Sequence, residues 1–143
     1  MTVKEWLSRG INIDKEIESL QEASAQAFQA AQTTGQEFNA VQSGKQGSSK
    51  NRQEIKLIRY IQLSDKLKTR LQEREKTKAE IEKIIGLIDK PIHRALLNYR
   101  YLCGYSWEKI AEKIDMSDRW TRTRLHSDAM NAAEKILKEQ KKL

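Results

Sequence analysis

Two serines a short distance apart, Ser106 and Ser117, constrain what this chain can fold into more than any other feature. A serine oxygen accepts from the free N–H groups of a helix's first turn, so each reads as an N-cap and each sets a helix start. In SWEKIAEKIDMSDRWTRTRLHSDAMNAAEKIL, from Ser106 to Leu137, the two starts leave room only for a tight bend between helices. That is the outline of a helix-turn-helix. Ile110, Ala111 and Ile114 recur at helical spacing, and the small Ala111 suits a close helix crossing. Met116 falls in the turn, where its side chain is expected to plug the angle between the helices.

The rest of the chain is also expected to be helical. It has one proline and six glycines in 143 residues, and β-branched or aromatic residues rarely alternate with polar ones, so strands find little support. Thr2 and Glu5 fit a capping box, and the helix that follows carries Ile13, Ile17, Leu20, Ser24, Ala27 or Phe28, and Ala31 as one narrow apolar stripe. Gly10 is expected to loosen it. From Thr33 to Asn51 the composition turns to Gly, Ser, Gln and Lys, which reads as a flexible connector. A second long helix, from about Asn51 to Ile88, carries one apolar block with Leu57, Ile61, Ser64, Leu67 or Lys68, and Leu71. After a charged middle it carries another with Ile81, Ile84, Ile85 and Ile88. The first block is expected to pair antiparallel with the N-terminal helix, an intermolecular coiled coil being the competing arrangement.

Asp89 and Pro91 then mark a new start, the aspartate as cap and the proline in the first turn. The segment PIHRALLNYRYLCG places Ile92, Ala95, Leu96, Tyr99 and Leu102 on one side and closes at Gly104, a left-handed cap. The fold expected is all-α: a long helical hairpin over 1–88 with its connector at about 33–51, then a three-helix helix-turn-helix domain over 89–143.

Several function classes find no support. The single cysteine, Cys103, makes no internal disulfide and is expected as a small buried residue; a reducing cytoplasm fits. No apolar run approaches a membrane span, and no export signal is visible. His93 stands alone, with no second ligand at metal spacing, so a surface or packing role is expected. There is no Gly-rich phosphate loop, no Cys pair and no HExxH; the chain reads as a non-enzyme without cofactor or metal.

The formal charge of +7 favours an anionic partner such as nucleic acid. In a helix that starts at Ser117, Trp120 or Thr121, Leu125, Ala129, Ala132 and Ile136 share the inner side, leaving Arg119, Arg122, Thr123 and His126 outside. The N-terminal half of a second helix of this kind enters the major groove, where arginine donates to guanine O6 and N7. Arg119, Arg122 and Thr123 are the base-reading candidates. Arg124, Lys109 and Lys113 are placed for phosphate, although Glu108, Glu112, Asp115 and Asp118 dilute the field. The plainer alternative is that these charges only solvate a helical bundle. Trp107 and Trp120 are expected as core residues at helix starts.

The segment RYLCGYSWEKIAEKIDMSDRW, followed by LHSDAM, resembles the region 4 helix-turn-helix of sigma-70 factors, in the version found in phage transcriptional regulators of the ArpU type. KEWL near the N-terminus and the Gly/Ser-rich connector are similar to that group too, so the likeness covers most of the chain, with only the C-terminal third specific. The resemblance implies a phage or prophage regulator of late genes that binds promoter DNA, with Arg119, Arg122, Thr123 and His126 on the exposed face of the recognition helix. Host RNA polymerase and a second copy of the chain are further partners this reading admits. The rival classes are a helical phage assembly or packaging adaptor, and a polymerase- or sigma-binding protein without direct DNA readout.

Overall fold

A computed structural model describes the backbone of residues 1–40 and 46–143 and the side chains of residues 1–33 and 51–143. Every regular element among them is helical: α1 (Val3–Ala40), α2 (Gln46–Gly86), α3 (Pro91–Leu97), α4 (Trp107–Ile114), α5 (Asp118–Trp120) and α6 (His126–Glu139). A π-helical turn, Asn98–Leu102, continues α3, and another, Thr121–Leu125, joins α5 to α6 without a break. The connector expected at 33–51 is helical up to Ala40 and again from Gln46. What remains of it, residues 41–45, lies outside the described residues.

The chain divides into two compact units, residues 1–14 with 74–143, and residues 15–73, rather than at the expected 88/89 boundary. The reason is the core of the first unit. Trp6 and Leu7 from α1, Ile81, Ile84, Ile85 and Ile88 from α2, Leu96 and Leu97 from α3, Ile110 from α4, and Ala129, Ala133 and Leu137 from α6 pack into one cluster. Thr2 and Glu5 start α1 as a reciprocal capping box, the Thr2 N–H donating to Glu5 Oε2 (2.8 Å) and the Glu5 N–H to Thr2 Oγ1 (3.2 Å). Gly10 does not loosen α1: the helix runs through it, and a Cβ there would stand 3.4 Å from Ile81 Cδ1 and 3.6 Å from the Tyr101 carbonyl oxygen. The missing side chain permits a close approach. Asp14 holds Arg74 (2.8 Å) and Lys78 (2.9 Å), and Arg9 holds Glu80 (3.1 Å).

Three other expectations change in this unit. The cap of α3 is Lys90 with no side-chain hydrogen bond, Pro91 following as first residue; Asp89 instead offers its carbonyl to Arg94 Nη1, which also takes that of Ile88. The buried side of the α3 region is His93, Leu96, Leu97 and Tyr101, while Ile92, Ala95, Tyr99 and Leu102 are half-buried. Cys103 is exposed, lying just before the left-handed Gly104 (φ +72°), where the chain turns outward.

In residues 15–73 the burial is thinner. Ile17, Leu20, Ser24, Ala27 and Ala31 are buried on α1, with Phe28 left exposed. Glu16 pairs with Arg70 (2.8 Å), Ser24 Oγ lies 3.4 Å from Ser64 Oγ, and Phe28 and Tyr60 rings are 5.2 Å apart. One number falls as the other rises, so these two segments run in opposite directions. On α2 the half-buried side carries Tyr60, Leu63, Ser64, Leu67 and Leu71. Leu57 and Ile61, expected there, are each 49% exposed. Apolar residues occupy two sides of this helix, and Tyr60 and Leu63 take the inner one.

Candidate nucleic-acid interface

Both serine caps form. Ser106 Oγ accepts from the Lys109 N–H (3.3 Å) and Ser117 Oγ from the Trp120 N–H (3.1 Å). Between α4 and α5 lie only Asp115, Met116 and Ser117. Asp115 adopts the left-handed conformation (φ 59°), its N–H reaching the Glu112 carbonyl (3.4 Å) while the Met116 N–H reaches that of Ala111 (3.0 Å). These two bonds satisfy carbonyls that the end of α4 would otherwise leave free. Ile110 and Ala111 are buried and Ile114 half-buried, but Met116 is exposed. The main chain makes the bend, and no side chain plugs it.

Past the bend, Thr121, Leu125, Ala129, Ala133 and Leu137 are buried, while Ala132 and Ile136 of the expected inner set are half-buried. Steps of four residues drift by about 40° each on an α-helix, and the wider winding of the π turn takes up part of that drift. The inner position left open between Trp120 and Thr121 belongs to Thr121, which is fully buried and whose Oγ1 donates to the Ser117 carbonyl (2.8 Å). Trp120 is 47% exposed, against its expected core role. Trp107 is half-buried, with Arg100 over its ring at 4.5 Å and His126 edge-on at 4.7 Å.

Arg119, Arg122, Thr123 and Arg124 are all exposed on this helix, in different electrostatic states. Arg122 is held by Asp118 Oδ2 (3.0 Å), and Arg124 lies 3.7 Å from Asp128. Asp118 Oδ1 is buried with no hydrogen-bond partner. The Thr123 hydroxyl donates to the Arg119 carbonyl. The Arg119 guanidinium has no partner among the described residues. Over residues 106–128 five basic side chains are matched by five acidic ones, so pairing decides which cations are available.

His126 is not exposed. It is half-buried, its Nε2 lies 2.8 Å from the Tyr101 hydroxyl, and its ring stacks near Tyr101 and meets Trp107. Burial, with Lys4 and Arg100 adding repulsion, pushes its pKa down to about 4, so the ring is neutral at pH 7. The π turn carries it inward. Lys109 and Lys113 stay exposed on α4 and lie along a pair of stacked tyrosines: Lys109 Nζ is 3.8 Å from the Tyr105 ring centre, and Lys113 Nζ is 5.7 Å from Tyr105 and 6.0 Å from Tyr99. Such cation–π contacts hold the ammonium groups in place while leaving them open to an anion. Tyr99, Tyr105 and Trp120 went unnamed as site residues in the sequence reading. Trp120 does stand three positions before Thr123, a spacing that was available as a sign of a shared helix side.

Among the described residues no group of His, Cys, Asp or Glu is arranged to hold a metal ion, and no helix is long and apolar enough to cross a membrane. No protein family, curated protein or solved structure matches this chain.

Proposed function

We propose that this chain is a double-stranded DNA-binding regulator of phage or prophage transcription, in which α4 and the α5–α6 helix act as a helix-turn-helix of the sigma region 4 kind. In this reading residues 15–73 form a helical hairpin, and host RNA polymerase is a second partner. The observation that carries it is the doubly capped, three-residue bend followed by the exposed Arg119, Arg122, Thr123 and Arg124. A helix entering the major groove needs such a rigid start and such donors. Arg119, whose guanidinium has no partner among the described residues, takes the first place among base-reading candidates; Arg122 must exchange Asp118 for DNA. Lys109 and Lys113, steadied on the tyrosines, are placed for phosphate. His126, expected on the exposed DNA-binding side, is reassigned to internal support.

Selection of bound sequences from a random duplex pool tests this. The expected result is an enriched motif whose binding weakens about tenfold or more on Arg119→Ala and falls with rising salt. No enrichment, or binding indifferent to both salt and Arg119, overturns it.

One observation favours a second reading, a helical assembly or packaging protein: Ile55, Leu57, Ile58 and Ile61 are all exposed on α2. A closed oligomer with no duplex binding would select that reading.

A further inference from the structure

We infer that Trp120 is a thymine-contacting side chain that gives this surface part of its sequence preference; the inference rests on the DNA-binding reading above. The three tryptophans differ sharply in their surroundings. Trp6 is buried with Arg9 over its ring at 4.4 Å, and Trp107 lies between Arg100 and His126. Trp120 is 47% exposed, and its ring has no aromatic or cationic partner among the described residues. Leaving so large an apolar ring in water forgoes the free energy that its burial would return.

The backbone beneath it is firmly held. The Trp120 N–H donates to Ser117 Oγ (3.1 Å), and the next residue, Thr121, is fully buried with its hydroxyl on the Ser117 carbonyl (2.8 Å). The ring is therefore carried on a rigid platform at the first turn of the helix that would enter the groove. Arg119 precedes it and Thr123 follows one turn later, both exposed, and the neighbouring acid, Asp118, is engaged by Arg122. A partner that covers Trp120 thus meets a guanidinium, a hydroxyl and an indole together.

In the major groove the one apolar group that base edges present is the thymine C5-methyl, and O4 beside it is an acceptor. An indole matches both, with an apolar ring for the methyl and a single Nε1–H donor for the oxygen. Other base edges offer acceptors or donors without the methyl.

The test uses the full chain and the duplex that it selects. Each thymine is replaced in turn by uracil, which removes only the methyl, and binding is compared for wild type, Trp120→Ala and Trp120→Phe. At one position uracil is expected to weaken wild-type binding about fourfold, the value of one buried carbon group. Trp120→Ala should weaken binding to the thymine duplex about tenfold and lose the distinction between thymine and uracil, whereas Trp120→Phe should keep part of it. Because the side chain is exposed, the variants should match wild type in helical content and melting, which separates a lost contact from a lost fold. If Trp120→Ala binds as wild type does, or if no position distinguishes thymine from uracil, or if the Ala variant distinguishes them equally well, the thymine assignment is overturned and DNA binding stands. If the wild-type chain binds no duplex at all, both fall.

Discussion

Residues 1–14 with 74–143 and residues 15–73 are both built from helix, yet they are held in different ways. The first unit packs large branched side chains from several helices into one cluster, with Leu7, Ile81, Ile84, Ile110 and Leu137 removed almost completely from water. The second buries Ile17 and Leu20 but then thins to Ser24, Ala27 and Ala31, and its α2 side is only half-buried. The ion pair of Glu16 with Arg70 between its helices is exposed enough for solvent screening to leave it little net value. Helical stability in proteins comes chiefly from packing an apolar face rather than from propensity. The two units separate those contributions within one chain: the first is stabilised by packing, the second leans on helix propensity and a narrow seam.

The largest test of this contrast is Ile84→Ala. Ile84 is 1% exposed, and removing three carbons from a full core should cost about 2–5 kcal/mol in urea unfolding. A loss below about 1 kcal/mol would mean that the cluster is looser than its burial implies.

A smaller effect concerns acid. Both histidines belong to the first unit. His126 is held near a pKa of about 4 when folded, against an ordinary 6.5. On unfolding it takes up a proton more readily, so its contribution is fully present above pH 6.5 and is lost as pH falls from 6.5 towards 4. His126→Gln should therefore flatten the fall in urea midpoint between pH 7 and pH 4.5. His93, whose pKa burial also lowers, should leave a residual slope of the same sign. An unchanged pH profile in the variant would contradict a buried neutral imidazole.

The smallest effect should come from the second unit. Ile58 is 54% exposed, and Ile58→Ala should change stability by no more than about 0.5 kcal/mol, alanine being the better helix former. A loss approaching that of Ile84→Ala would show that this face is covered in solution, and the contrast between the units would dissolve.

What the sequence revealed, and what it hid, follows from the range of each interaction. The caps at Thr2, Ser106 and Ser117 and the left-handed Gly104 were legible because each depends on residues within one turn. The block Ile81, Ile84, Ile85 and Ile88 was legible because nothing competes with its periodicity. Cys103, His126 and Trp120 were misplaced, and the first two directly follow a π turn. Such a turn leaves no mark in composition, yet it reassigns which side chains face inward. Leu57 and Ile61 were misplaced for another reason: α2 carries apolar residues on two sides, and pattern alone does not choose between them.

The bend at Asp115 to Ser117 has a last consequence, for variation rather than for folding. Its geometry is secured by carbonyls of Ala111 and Glu112 and by a serine hydroxyl, while the Met116 side chain stands in water. Identity at position 116 is thereby uncoupled from the architecture around it. The chain can explore new chemistry there, a few residues before Arg119 and Trp120, without renegotiating its scaffold, and a descendant protein could acquire a different target by altering side chains that its own fold does not need.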